Sequence, residues 1–171
     1  EIEGKETLAP IGHIIAKPTI LITIDSDGNF ISAAAVDKKI PIPVTEESSG
    51  RTSAPVAHCL CDQIGYVCCD NSDPEKNNLY IAQLEEWAES EYAHPKVKAI
   101  LKYVKTRTAK QDLLSCGLLK IDDQGKIKNE KDLICWSVLG LESPGPVWTD
   151  NNLQELFSSI LNTYKQLEKN Q

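Results

Sequence analysis

The chain contains no methionine, not even at position 1, and of its 171 residues only 2 are Phe and 3 are His. The missing Met reads as an N-terminally trimmed domain, so short motifs carry more weight here than long spacings. No apolar run approaches the roughly 18 residues that a membrane-spanning helix needs. The opening Glu1-Ile2-Glu3-Gly4-Lys5 lacks the basic start and apolar run of an export signal, so a cytoplasmic location is expected. There is no Gly-rich phosphate loop, no G-x-S-x-G elbow and no H-E-x-x-H zinc helix. His13, His58 and His94 lie far apart, and the acids show no catalytic pairing. The expectation is therefore a non-enzymatic chain with no catalytic residues, no cofactor and no metal.

What is present is a globular composition, 41% hydrophobic and 25% charged, long enough for a single domain over residues 1–171. Lys plus Arg is 18 against 25 for Asp plus Glu, a net charge of −7, which excludes a uniformly basic nucleic-acid wrapper but not a local basic patch. The cysteines are Cys59, Cys61, Cys68, Cys69, Cys116 and Cys135. Without an export signal they read as free thiols rather than disulfides. Cys59-x-Cys61 and Cys68-Cys69, even with His58 added, match no common zinc spacing, so small core hydrophobes are preferred. A Cys–His nucleophile built on Cys59, Cys61 or Cys135 is conceivable, but nothing singles one out.

Residues 19–25 alternate Ile20, Ile22 and Ile24 with Thr19, Leu21 and Thr23, the period of a strand. Asp27-Gly28 then signals a hairpin with a return strand from Phe30 to Val36. Asp25, Asp27 and Asn29 mimic the start of a calcium loop, but the distal Glu is missing, so this is read as a turn. Ile40-Pro41-Ile42-Pro43 allows an edge strand or extended loop, and Glu46 to Gly50 an exposed tip.

Asp73-Pro74 predicts a helix start, with Tyr80, Leu84, Trp87 and Ala88 on one face. His94-Pro95 opens a second helix through Val97, Ile100, Leu101 and Val104, so residues 73–107 form a two-helix segment. A C-terminal helix over 149–170 carries Leu153, Leu156, Phe157, Ile160, Leu161, Tyr164 and Leu167, a stripe for a core or a neighbouring subunit. Leu118 to Asp122, a turn at Asp123-Gln124-Gly125-Lys126, and Leu133 to Val138 are expected to form an antiparallel set. Strands early and late with helices between argue for an α+β fold, an antiparallel β-sheet with several helices packed against it.

Charge is segregated. Asp70 to Tyr92 holds seven acids against Lys76, while His94 to Lys110 holds six bases and no acid. Lys98, Lys102 and Lys105 share one helix face, either a solvated face paired with the acidic helix or a phosphate-backbone track. Tyr103 beside them is a base-stacking or core-edge residue. Lys38, Lys39, Arg51, Thr52, Ser53, His58 and Gln63 fall within one stretch poor in core residues, and these side-chain types suit phosphates and base edges. Arg51 has an ion pair with Glu46 or Glu47 as its alternative, and His58 a core-edge position. Asp62 is read as a turn or cap acceptor, since a carboxylate repels phosphate.

The order of motifs resembles a known family. An Ile-rich strand enters Asp25-Ser26-Asp27-Gly28-Asn29-Phe30. Arg51-Thr52-Ser53 and His58-Cys59-Leu60-Cys61-Asp62-Gln63 follow, then Tyr66-Val67. Later come His94-Pro95, Lys131-Asp132-Leu133-Ile134-Cys135-Trp136-Ser137-Val138 and Trp148-Thr149-Asp150. Together these resemble the N-terminal region of the large subunit of type I-C CRISPR Cascade surveillance complexes, the Csd-type family, whose full chains are several times longer. Arg-Thr-Ser followed by Leu-Cys-Asp-Gln-x-x-Tyr is the most specific part. Ala54, Ala57 and Val67-Cys68-Cys69 depart from the family's pattern.

The resemblance implies an N-terminal fragment of a large subunit that reads a protospacer-adjacent motif and helps open and hold target double-stranded DNA. It implies guide RNA, other complex subunits and a recruited nuclease–helicase as partners, and no membrane. The alternative is a structural or protein-interaction module that docks neighbouring subunits without reading DNA.

Overall fold

The structure, a computed structural model, describes residues 13–44, 58, 60–68 and 74–169, with side chains through 163. The Ile-rich segment forms strand β2 (Ile20–Ile24) and pairs antiparallel with β3 (Phe30–Ala35) across the expected turn. Asp25 closes that turn: its Oδ1 accepts the N–H of Asp27 and of Asn29, each at 2.9 Å. Gly28 sits at φ 83°, where a side chain would be strained, and its bare Cα lets the turn reach a helix beyond. The pairing shifts between Thr23 and Ile24, so Ile31 is the extra residue of a bulge, 48% exposed on the outer strand.

The second strand of the core is β6 (Leu133–Val138). It runs parallel to β2, with Ile20 opposite Ile134 and Ile24 opposite Val138. Its other edge is shared by two short antiparallel strands, β5 (Asp62–Gln63) and β7 (Gly145–Pro146). Ile134, Cys135, Trp136, Ser137 and Val138 are all buried, so β6 is covered on both faces and reads as a nearly continuous apolar run. A separate two-stranded ribbon joins β1 (His13–Ala16) to β4 (Ile40–Pro43), whose Ile40 and Ile42 are buried. Prolines 41 and 43 are tolerated there because the ribbon has only two strands.

The fold is α+β, as expected. The sheet, however, is mixed rather than antiparallel. Leu133–Val138 does not pair with Leu118 to Asp122. That stretch closes locally on residues 126–128, with a lone bridge between Ile121 and Ile127. The physical reason is burial: β6 can hide both faces in the sheet centre, whereas Ile121 is 43% exposed and its turn is polar.

The helices are α1 (Ile64–Val67), α2 (Glu75–Ala88), α3 (Pro95–Lys105), α4 (Ala109–Ser115) and α5 (Asn151–Lys169), the last preceded by a 3-10 turn at Val147–Thr149. The expected stripes are buried: Tyr80, Leu84 and Trp87 on α2, and Val97, Ile100 and Val104 on α3. Leu153, Phe157, Ile160 and Leu161 of α5 are buried within this chain, Phe157 lying 5.4 Å from the Trp87 ring and 5.5 Å from His13. Asp73, read as a helix cap, and Glu46 to Gly50, read as a tip, lie outside the described residues, as do the side chains of Tyr164 and Leu167. No helix among the described residues is long and apolar enough to cross a membrane.

Candidate nucleic-acid interface

The residues expected to meet DNA fall in three places. Lys38 and Lys39 are exposed on the connection from β3 to β4. Lys38 Nζ lies 5.7 Å from the centroid of the Trp148 ring, a cation–π approach. Lys17, which the sequence reading did not single out, stands on the β1–β2 connection and pairs with Asp37 at 2.8 Å. Asp37 is held below the ordinary carboxylate range by that contact. The β1–β4 register brings these two connections together, since Ala16 is opposite Ile40. This corner holds Lys17, Lys38 and Lys39 against Asp37, a cationic spot on an acidic chain. Only the pairing of two ribbon strands reveals it.

Arg51, Thr52, Ser53, and with them the alternative pairing of Arg51 with Glu46 or Glu47, lie outside the described residues. So does Cys59. The two ends of that stretch are described. At one end Val44 is buried after β4. At the other, residues 58 and 60–63 are held by buried hydrogen bonds. The Asp62 carboxylate accepts the N–H of His58 and of Gln63, each at 2.7 Å, as its reading as a cap acceptor anticipates. The Leu60 carbonyl accepts the Tyr80 hydroxyl and the Trp136 indole N–H, the latter at 3.2 Å. Each satisfies a polar group that burial would otherwise penalise. The same web puts His58 inside: it is 7% exposed, which leaves little of its ring to offer a base edge. Gln63 is half-buried and forms the N-cap residue of α1.

The third place is α3. Lys98, Lys102 and Lys105 are exposed on one face, opposite the buried stripe. The six bases of the His94 to Lys110 run are not six free cations, however. Lys96 is 2% exposed and lies 3.0 Å from Asp150. Lys105 pairs with Glu85 at 3.3 Å, Arg107 donates to Asn77 and Asn78, and Lys110 donates to the Gly125 carbonyl. Lys98 and Lys102 remain without an ion pair among the described residues. Lys102 packs against the β2–β3 turn so closely that a Cβ on Gly28 would lie 2.7 Å from its own Cβ. That turn carries Asp25 and Asp27, which lower the local positive potential. Of its two readings Tyr103 takes the core one: it is 2% exposed, stacks on Phe30 and donates to Asp112 at 2.6 Å.

Of the three thiols considered as nucleophiles, Cys61 and Cys135 are buried, which makes them poor ones. Burial pushes Cys61 well above the ordinary thiol value and Cys135 up to about 12. Cys61, Cys116 and Cys135 are free cysteines. No group of His, Cys, Asp and Glu among the described residues is arranged to hold a metal ion.

Sequence reasoning missed one further cluster. His94 N-caps α3, its Nδ1 accepting the Lys96 N–H at 3.0 Å, while its Nε2 lies 3.4 Å from Asp150. Asp150 in turn accepts the Leu153 N–H in the first turn of α5. The cap at His94-Pro95 was legible. That Lys96 turns inward to a residue far along the chain was not.

A comparison with curated proteins finds no match. The model of the CRISPR-associated protein family (Cas_Csd1) matches residues 1–171, the whole of this sequence, and the chain belongs to that family.

Proposed function

We propose that this chain is a non-enzymatic DNA-recognition domain of a type I-C CRISPR surveillance complex, acting in the cytoplasm with guide RNA, other complex subunits and a recruited nuclease–helicase. In this role it reads the protospacer-adjacent motif and helps open and hold target DNA. Family membership supports the setting. The observation that carries the reading role is the bracing of residues 58 and 60–63: a stretch rich in hydrogen-bonding side chains leaves a fixed strand at one end and returns to a hydrogen-bonded floor at the other. A reader of base edges needs such a rigid base, because a bidentate contact fails when misplaced by about 1 Å.

Within this reading Lys38 and Lys39 neutralise phosphates, and Arg51, Thr52, Ser53 and Gln63 approach the bases. His58, buried and tied through its N–H to Asp62, belongs to the floor of this stretch rather than to its base contacts. Lys98 and Lys102 are the candidate phosphate contacts of α3, with Lys105 shared with Glu85. The net charge of −7 implies weak non-specific affinity for DNA, which suits a domain that depends on its complex for attraction and samples many sites quickly.

The test is reconstitution of the full-length subunit with its guide complex, followed by binding to duplexes with and without the motif. Arg51→Ala should reduce the preference for the motif at least about tenfold, the worth of a bidentate base contact. Lys38→Ala with Lys39→Ala should weaken both duplexes alike and reduce the salt slope by about two. Discrimination unchanged in every variant would leave a domain that docks subunits rather than reads DNA.

A further inference from the structure

Arg107 breaks a local rule. It follows Thr106, the C-cap of α3, and its φ is 59°, a left-handed conformation that a helix end normally gives to glycine. An arginine there strains the backbone, and strain of this kind persists where the surroundings over-determine it. What holds Arg107 is a fork. One guanidinium nitrogen donates to Asn77 Oδ1 at 2.9 Å and the other to Asn78 Oδ1 at 3.0 Å.

Asn77 carries the contact onward. It is 1% exposed, and its Nδ2 donates to the carbonyls of Tyr66 and Val67 at 2.9 and 3.1 Å. Those are the last two residues of α1, whose carbonyls have no helical donor ahead of them. An amide used at both ends is fixed in one orientation: the arginine takes its oxygen, and its nitrogen is turned to α1. The helix α1 begins immediately after Gln63. One chain of hydrogen bonds therefore runs from the end of the lysine-bearing helix, through the first turn of α2, to the helix that Gln63 caps.

We infer that Arg107 is a positioning residue for DNA reading, a clasp that fixes the Leu60–Val67 segment relative to the Lys98 and Lys102 face of α3, so that base and phosphate contacts keep one register. This rests on the DNA-reading role proposed above. It assigns Arg107 itself no contact with a base.

The experiment uses the full-length subunit in its complex and two readouts, hydrogen exchange at the amides of Gly65 to Cys68 and the ratio of affinities for motif and scrambled duplexes. Arg107→Lys keeps the charge but loses the fork, and Arg107→Gly also releases the backbone strain. Both should speed exchange at those amides about tenfold, the worth of one charged hydrogen bond, and lower the affinity ratio by about fivefold or more. Arg107→Gly should melt above Arg107→Ala, because only glycine accepts the left-handed backbone without strain. Unchanged exchange in Arg107→Lys and Arg107→Gly would overturn the clasp. Faster exchange with an unchanged ratio would reduce it to a purely structural contact and overturn the positioning role. Arg51→Ala, measured in parallel, separates the two proposals: if it too leaves discrimination intact, the reading role fails and the positioning role falls with it, while exchange still reports on the clasp alone.

Discussion

The two ends of α3 use charge in opposite ways. At the N-terminal end Lys96 and Asp150 are 2% and 5% exposed at their side chains, 3.0 Å apart, with His94 beside them. At the C-terminal end Lys105 and Glu85 are 54% and 40% exposed, 3.3 Å apart. The distances are alike, but the surroundings differ. Water screens the outer pair and competes for both partners, so little of their attraction reaches stability. The inner pair has lost its hydration, and each charge is tolerable only because the other is present. A separation alone therefore says little about an ion pair, and burial decides whether it is a lock or an ornament.

The largest effect should come from breaking the lock on one side. Asp150→Ala leaves Lys96 charged and buried and removes the acceptor of the Leu153 N–H, so we expect a loss of about 4 kcal/mol in urea unfolding. Lys96→Met combined with Asp150→Ser removes both charges and keeps a cap. Buried pairs replaced by apolar groups often cost nothing, so the double variant should recover most of the loss. If the double variant is as unstable as Asp150→Ala, the cost lies in the cap or the packing rather than in the uncompensated charge.

This contrast also shows how far the sequence could be read. The hairpin of β2 and β3, the stripes of α2, α3 and α5, and the cap at His94-Pro95 were legible because each is a local pattern of period two, period 3.6 or a fixed turn signal. The parallel pairing of β2 with β6 was not, since its partner lies beyond four helices and pairing at that range leaves no periodic mark. Lys96 and Lys98 look alike in sequence, two bases in one run. Only the arrival of Asp150 from the far side of the chain makes the first a core residue and leaves the second on the surface. The candidate site divides the same way: Lys38 and Lys39 are candidates by residue type, whereas Lys17 enters through strand register and Arg107 through a backbone angle.

A pH titration sharpens the comparison, because only the inner cluster contains a histidine. Burial lowers His94 below the ordinary imidazole value of 6.5, the Asp150 carboxylate pulls the other way, and Lys96 adds to the lowering. The native state thus prefers the neutral ring, whose Nδ1 must stay unprotonated to accept the Lys96 N–H. The stability this contributes is fully present above pH 6.5 and is lost as pH falls through the lowered value. Asp150 adds a second acidic limb. Burial pushes its carboxyl up, but the Leu153 N–H and Lys96 together pull it below the ordinary 3.8, so its contribution holds above that value and disappears on further acidification. Asn at position 94 caps a helix well and does not titrate. His94→Asn should flatten the fall of the urea midpoint below pH 6.5 relative to the wild type. An identical fall in both proteins would assign the acid sensitivity to other groups.

The smallest effect belongs to the outer pair. Lys105→Ala should cost no more than about 0.5–1 kcal/mol at low salt, and the difference from wild type should vanish near 1 M salt, where the Debye length is about 3 Å. Asp150→Ala should keep most of its penalty at the same salt, since ions cannot screen a pair they cannot approach. The salt dependence, more than the size of either loss, is the discriminating quantity. A surface pair that resisted salt would mean that Glu85 and Lys105 are shielded by something beyond the side chains that surround them here, and α3 would then have two locks rather than one.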